Sequence, residues 1–220
     1  MDRWVPLPSI LPLFPLPNVV FFPQVLLPLH VFEPRYRQMV KDVAEGDELV
    51  GMILYRSCGE QPPGGRPDIY SFGCAGRMIR RVDLPDGRFN ILLQGVREFE
   101  VREQYHDRSY RRASVEWRPA ISAGWRLETH RRGELVERIR SFAAKGEGPG
   151  LKILEDPTLT DEMLVNLFAF ALDLPVEEKQ SLLEIPSLDE RAERLAETLD
   201  FHLLERGVWF AAENSKQRLQ

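Results

Sequence analysis

The sequence predicts an α+β chain: a small N-terminal β pseudo-barrel interrupted by one helix, followed by a C-terminal α-helical bundle. Three observations carry this. Residues 11–39, LPLFPLPNVVFFPQVLLPLHVFEPRYRQM, are densely apolar but broken by Pro12, Pro15, Pro17, Pro23, Pro28 and Pro34. Apolar residues follow strand patterns up to about residue 118 and helical patterns from about residue 125. Between them lies 119–124, PAISAG, which reads as a hinge. The division is a β unit over 1–118, a helical unit over 125–205 and a tail over 206–220.

The proline-broken run cannot be one helix, because each proline removes a backbone donor and fixes φ. It is interrupted too often to be a membrane span or a signal-peptide core. It reads instead as short strands with prolines at starts, bulges or edges. The pattern changes at Glu33-Pro34-Arg35-Tyr36. Pro34 suits the first turn of a helix, where its missing N–H costs nothing. Tyr36, Met39, Val40 and Val43 then fall near one helical face, and Gly46 ends the helix.

Residues 48–56, ELVGMILYR, are a short β-rich run. Residues 57–70 hold three glycines and three prolines, including Pro62-Pro63-Gly64-Gly65, and read as a loop. Strands over 71–84 and 88–94 flank Pro85-Asp86-Gly87, a hairpin signal because glycine accepts the positive φ of the turn. A further strand over 96–104 has one wet face, and 113–117 closes the set. About six short strands around one helix suggest a pseudo-barrel, because closure removes exposed edges.

Leu135, Ile139, Phe142 and Ala143 make one stripe on a helix over about 125–145, which the break at 145–150, KGEGPG, ends. Leu164, Leu167, Phe168 and Ala171 mark a second helix, with Thr160 as its N-cap. A third runs over 175–184 and stops before Pro186. Ser187 and Glu190 form a capping box for a fourth, in which Leu188, Ala192, Leu195, Leu199 and Leu203 repeat at three and four. That stripe packs against the other helices; it is too short for a coiled coil.

Among the 220 residues, 43% are apolar, enough for an ordinary core and against global disorder. Residues 1–120 carry 16 Lys/Arg and 15 Asp/Glu; residues 121–220 carry 13 and 19. The total is acidic, which disfavours nucleic acid as a partner, because phosphate binding needs several uncompensated cations on one face. No targeting segment opens the chain. Cys58 and Cys74 lack metal-site spacing and are too few for a disulfide scaffold. They fit a reduced chain in the cytoplasm.

The order of motifs resembles the N-terminal substrate-recognition domain of Lon proteases. The resemblance rests on LPLFPL, VVFFP and LPLHVFEPRYRQMV in succession, then Phe72-Gly73-Cys74-Ala75-Gly76 before the hairpin. Asn90 to Phe99 (NILLQGVREF), then Tyr110 and Ala113-Ser114-Val115, match the family's later strands. Lys179 to Glu184 (KQSLLE), Arg191 and Arg194-Leu195 match its helical part. Together these cover about residues 8–205. The resemblance implies a PUA-like barrel and a non-catalytic module that binds unfolded polypeptides or another protein, serving as an adaptor in proteolysis. It implies a free-standing form without the family's ATPase and protease modules.

The residues agree with a non-enzymatic reading. There is no GxxxxGK(S/T) loop to cradle phosphates. None of the five lysines lies near a glycine-framed serine, and no GxSxG elbow occurs. His30, His106, His130 and His202 are scattered without i, i+4 spacing, so neither a metal site nor a cofactor is implied. The carboxylates, such as Glu177-Glu178, Glu193 and Glu197, read as solvated helix faces. Two rival classes stay open. An RNA-binding PUA-like module would gather Arg77, Arg80, Arg81, Arg88, Arg108, Arg111 and Arg112 into a basic strip. A small-molecule enzyme would need a deep pocket with convergent polar groups.

For a peptide-binding module the expected site is the strand–helix junction. Phe22, Pro23, Val25 and Leu27 form one approach to it, and Phe32, Glu33, Arg35 and Tyr36 form the turn into the helix. An extended client would add hydrogen bonds along a strand edge freed by the prolines, and apolar pockets would select its side chains. The alternative role for these residues is structural. Glu33 favours the helix N-terminus, Arg35 pairs with it, and the phenylalanines, including Phe14, Phe21, Phe89 and Phe99, fill the core. Burial decides: if Phe22, Val25, Leu27 and Tyr36 are all buried, the site lies elsewhere. The sequence carries no signal for oligomeric state.

Overall fold

The structure, a computed structural model, describes residues 7–56, 67–122, 124–143 and 151–217, with side chains as far as residue 205. Cys58, Pro62-Pro63-Gly64-Gly65 and the break at 145–150 lie outside the described residues. The chain forms two units, Met1–Ala120 and Ile121–Gln220.

The first unit contains β1 (Ile10–Leu16), β2 (Leu26–Val31), α1 (Pro34–Ala44), β3 (Leu49–Tyr55), β4 (Ile69–Asp83), β5 (Phe89–Tyr105) and β6 (Arg111–Trp117). The strand order is β2-β5-β4-β3-β1-β6, and β5 also pairs with β6. That extra pairing closes β5, β4, β3, β1 and β6 into a ring and leaves β2 appended to β5. Only β1 and β3 run parallel. Leu11, Leu13, Ile53, Ala75, Phe99 and Ala113 fill the ring. Phe99 sits so close to the backbone that a Cβ on Gly51 or Gly73 would lie within 3 Å of its ring.

The two strands expected over 88–94 and 96–104 are one strand, β5. Its first half pairs with β2 and its second half with β6. Gly95 joins the halves because the backbone of Phe22 crosses it. A Cβ there would lie 2.1 Å from the Phe22 carbonyl oxygen. The hairpin between β4 and β5 turns at Gly87 (φ 77°), where the Leu84 N–H donates to the Arg88 carbonyl at 2.9 Å.

In the second unit α2 (Thr129–Ala143), a 3-10 turn (Leu151–Glu155), α3 (Asp161–Ala171) and α4 (Val176–Glu184) precede α5 (Leu188–Gln217). Each of α2, α3 and α4 packs against α5. The Thr160 hydroxyl accepts from the Met163 N–H at 3.2 Å, and the Ser187 hydroxyl from the Glu190 N–H at 3.4 Å. α2 starts at Thr129, later than its stripe suggests, because buried Asp161 holds the extended segment before it. The Asp161 carboxylate accepts from the Leu127 N–H at 3.0 Å and from Arg132 Nε at 2.7 Å. Buried Arg191 donates to Asn166 Oδ1 at 2.7 Å and to the Ile185 carbonyl at 2.9 Å, tying α5 to α3 and to the end of α4. α5 continues to Gln217, so 206–217, read as a tail, is helical. Its AAENSKQ end is compatible with that, lacking both proline and glycine.

Candidate functional site

The strand–helix junction is mostly core. Phe22 is 0% exposed, Val25 3%, Leu27 7% and Tyr36 3%, and Pro23 is buried with them. This corrects the expectation that these five residues form the contact surface. The physical cause is the pleat of β2. Leu27 and Val31 point inward, facing Leu93 and Phe89 of β5. Phe22 and Pro23 lead the turn that crosses Gly95. In that turn the Gln24 N–H donates to the Gly95 carbonyl, and the Gly95 N–H to the Val25 carbonyl, both at 2.8 Å.

Glu33 and Arg35 are half-buried and meet each other, with Arg35 Nε donating to Glu33 Oε2 at 2.9 Å. The Arg35 guanidinium lies 4.5 Å from the Tyr36 ring centroid, and the Tyr36 ring packs 4.2 Å from that of Phe14. Burial, reinforced by a hydrogen bond with Tyr55, pushes the Tyr36 hydroxyl pKa well above the ordinary tyrosine value. These contacts fix where the helix starts. Of the expected residues only Phe32 is open, at 60% exposure.

The open apolar residues lie one position away, on the outer face of the same sheet. Leu26 is 52% exposed, and Pro28 and His30 share its face. Three rows cross β2, β5 and β4 on that face: Leu26–Gln94–Arg77, Pro28–Leu92–Arg80 and His30–Asn90–Val82. Ile79, exposed, sits in a bulge of β4 between Met78 and Arg80. Phe32 stacks on His30 at 6.3 Å between centroids. His30 is held by Asn90 Oδ1 at 2.7 Å and Arg88 at 3.1 Å. With Asn90 accepting at Nδ1 and arginine donating to Nε2, the ring carries its proton on Nδ1.

Among the described residues β2 pairs only with β5, so its other edge carries no strand. Pro28 in this strand fits an edge, where a missing N–H breaks no ladder bond. The sequence held one signal for the outer face. His30 is the single polar residue of LLPLHV, and Leu26, Pro28 and Phe32 share its parity.

The expected arginine strip does not form as a free basic surface. Arg81 pairs with Asp83, Arg88 with Asp86, Arg108 with Asp42 and Arg112 with Asp107. Arg111 is buried and donates to Gln104 and the Pro67 carbonyl. A groove of about 600 Å³ in the second unit is lined by Ser181, Ile185, Thr198 and Phe201. Its charged lining is already paired: Arg194 with Glu197 at 3.3 Å, and Glu178 with His202 at 2.8 Å. Among the described residues no helix is long and apolar enough to cross a membrane.

The profile of the ATP-dependent protease La (LON) substrate-binding domain matches residues 10–200. The chain is 27% identical over 198 residues to Lon protease 2 of Myxococcus xanthus, which covers 88% of this chain and 24% of that protein. It is 28% identical over 196 residues to the Lon protease of Dictyoglomus thermophilum, covering 86% and 24%. The chain thus spans about a quarter of the length of the curated relatives it matches. Among solved structures, a Lon N-terminal domain protein from Xanthomonas campestris aligns with a TM-score of 0.62 at 24% identity, over 85% of this chain and 96% of that one. The N-terminal domain of a Mycobacterium avium complex Lon protease aligns at 0.61 and 13% identity, over 88% and 99%. At these identities the solved structures speak for the fold, and the matched profile speaks for the family: this chain belongs to the LON substrate-binding domain family.

Proposed function

We propose that this chain is a non-catalytic protein-binding module that takes extended, apolar segments of unfolded polypeptides on the outer face and free edge of β2. The observation that carries the reading is the parity of that strand: its solvent-facing positions are Leu26, Pro28 and His30, followed by Phe32, where an ordinary exposed strand is polar. A contiguous exposed apolar patch on an open edge marks an interaction surface. Main-chain bonds along the edge would give affinity, and contacts with Leu26, Leu92 and Phe32 would select apolar side chains. The junction residues expected to touch the client instead form the wall beneath it.

The relatives' names connect the module to proteolysis, and an adaptor role in the cytoplasm is the biological form of this proposal. Residues 119–124 would serve as the hinge that links the two units. The paired arginines and the absence of a gathered basic strip favour protein over RNA.

The test is binding of a fluorescein-labelled, permanently unfolded polypeptide, followed by anisotropy. Leu26→Asp and Phe32→Asp should weaken binding at least about tenfold, as buried anchors of interfaces do, with an unchanged far-ultraviolet spectrum. Leu27→Asp should instead unfold the first unit, because it buries a charge. Unchanged affinity in both surface variants would contradict the proposal.

A further inference from the structure

We infer that this face prefers client segments in which apolar residues are accompanied by a carboxylate, and that Arg80, with Arg77, is the specificity-determining group. The inference rests on the reading of the β2 face as the peptide site. The face is apolar along β2 and cationic along β4. Row by row, Leu26 leads across Gln94 to Arg77, and Pro28 across Leu92 to Arg80. The two outer strands are about 10 Å apart, two strand spacings, within the span of one extended segment and its side chains.

What separates these two arginines from their neighbours is their lack of carboxylate partners. Arg81 and Arg88, on the same hairpin, are neutralised by Asp83 and Asp86. Arg80 is exposed and makes no hydrogen bond or ion pair among the described residues. Arg77 donates only to the Asp47 backbone carbonyl, at 3.2 Å. A client that leaves the β2 edge and crosses Leu26, Pro28 and Leu92 toward β4, with an aspartate or glutamate at that end, would supply the missing anion. A lysine or arginine there would meet two cations. Two guanidinium groups without carboxylate partners beside an apolar surface suit one carboxylate better than a phosphate backbone, whose binding draws on many cations.

The experiment compares two short labelled peptides with the same alternating apolar residues, one flanked by aspartates and one by lysines, against the full chain by anisotropy. The aspartate peptide should bind about fivefold tighter at low salt, the range of a partly exposed ion pair, and the gap should close at high salt. Arg80→Gln should erase the preference and the Arg80→Glu, Arg77→Glu double variant should reverse it. Arg102→Glu, at a distant ion-paired site, should leave it intact. Both residues are surface groups, so the variants keep the fold, which circular dichroism checks. If both peptides bind equally well to the wild type, or the preference survives Arg80→Gln, the inference is wrong while the peptide-site reading stands. If neither peptide binds, both fall. A single-stranded oligoribonucleotide that displaces the aspartate peptide through the same arginines would also overturn the inference.

Discussion

On the helical unit, polar and charged side chains meet across neighbouring helices: Arg131 reaches Glu193 at 3.2 Å, Arg138 reaches Asp200 at 2.9 Å, and His202 reaches Glu178 at 2.8 Å. On the β unit, the outer face of β2, β5 and β4 instead leaves Leu26, Phe32, Ile79 and Val82 in water, with Arg80 unpaired beside them. The first surface pairs these polar groups within the chain, although Phe201 and Leu204 are exposed there. The second holds apolar area and a cation that a partner would cover. What sets the proposed binding surface apart is apolar area lying beside a cation without a carboxylate partner. The groove of the second unit is the weaker guide, because its charged lining is already paired.

The comparison breaks first if the two units are not separately cored. Phe99→Ala empties the centre of the ring and should cost about 3–5 kcal/mol of stability, as such truncations do. Calorimetry should show the β unit melting earlier and the helical unit's transition in place. A single joint shift would contradict the division. The reciprocal change is Asp161→Ala. It leaves the buried Leu127 N–H without its acceptor and frees Arg132, and should cost about 1–3 kcal/mol, confined to the helical unit.

A pH-dependent effect sharpens the β side. Burial, and a 2.7 Å hydrogen bond donated to Asp42, push the Tyr110 hydroxyl up to about 12. Its contribution is therefore fully present below the ordinary tyrosine pKa, about 10, and is lost as pH rises toward the folded value. For Asp42, burial opposes ionisation, but the hydrogen bonds from Tyr110 and Gln38 and the charge of Arg108 prevail and hold its carboxyl below the ordinary value. Its contribution is present above the ordinary aspartate pKa and is lost as pH falls through the folded one. Tyr110→Phe should flatten both limbs of a denaturation-against-pH curve. The alkaline limb should keep the share due to Tyr36, whose pKa is also raised. The smallest effect is expected at Arg102→Ala, whose exposed, solvent-screened pairs with Glu100 and Glu116 should leave the urea unfolding midpoint almost unchanged.

Local chemistry was legible in the sequence. Thr160 and Ser187 announce helix starts because a hydroxyl at that place satisfies a free N–H, and Gly87 announces a turn because few other residues accept its φ. Closure of the ring was less so. It depends on β5 serving two partners through Gly95, and nothing in NILLQGVREF says that the backbone of Phe22 will cross it. The expected contact positions and the exposed ones differ by one residue along β2. VLLPLHVF is apolar at both parities, so its composition alone does not say whether Val25 and Leu27 or Leu26 and Pro28 face water. Only His30, the lone polar residue, carried that information. Arg80 had no local signal: its isolation follows from Asp83 and Asp86 being taken by Arg81 and Arg88, which is a fact of the folded hairpin.

The most direct test of the central claim is methyl chemical-shift mapping of the full chain as an unfolded, apolar polypeptide is added. The account predicts that the methyls of Leu26, Leu92, Ile79 and Val82 shift together and saturate at one affinity, while those of Leu195 and Leu199 in the helical core stay still. Shifts confined to the helical unit, around Ile185 and Leu204, with the β2 face unmoved, would contradict it.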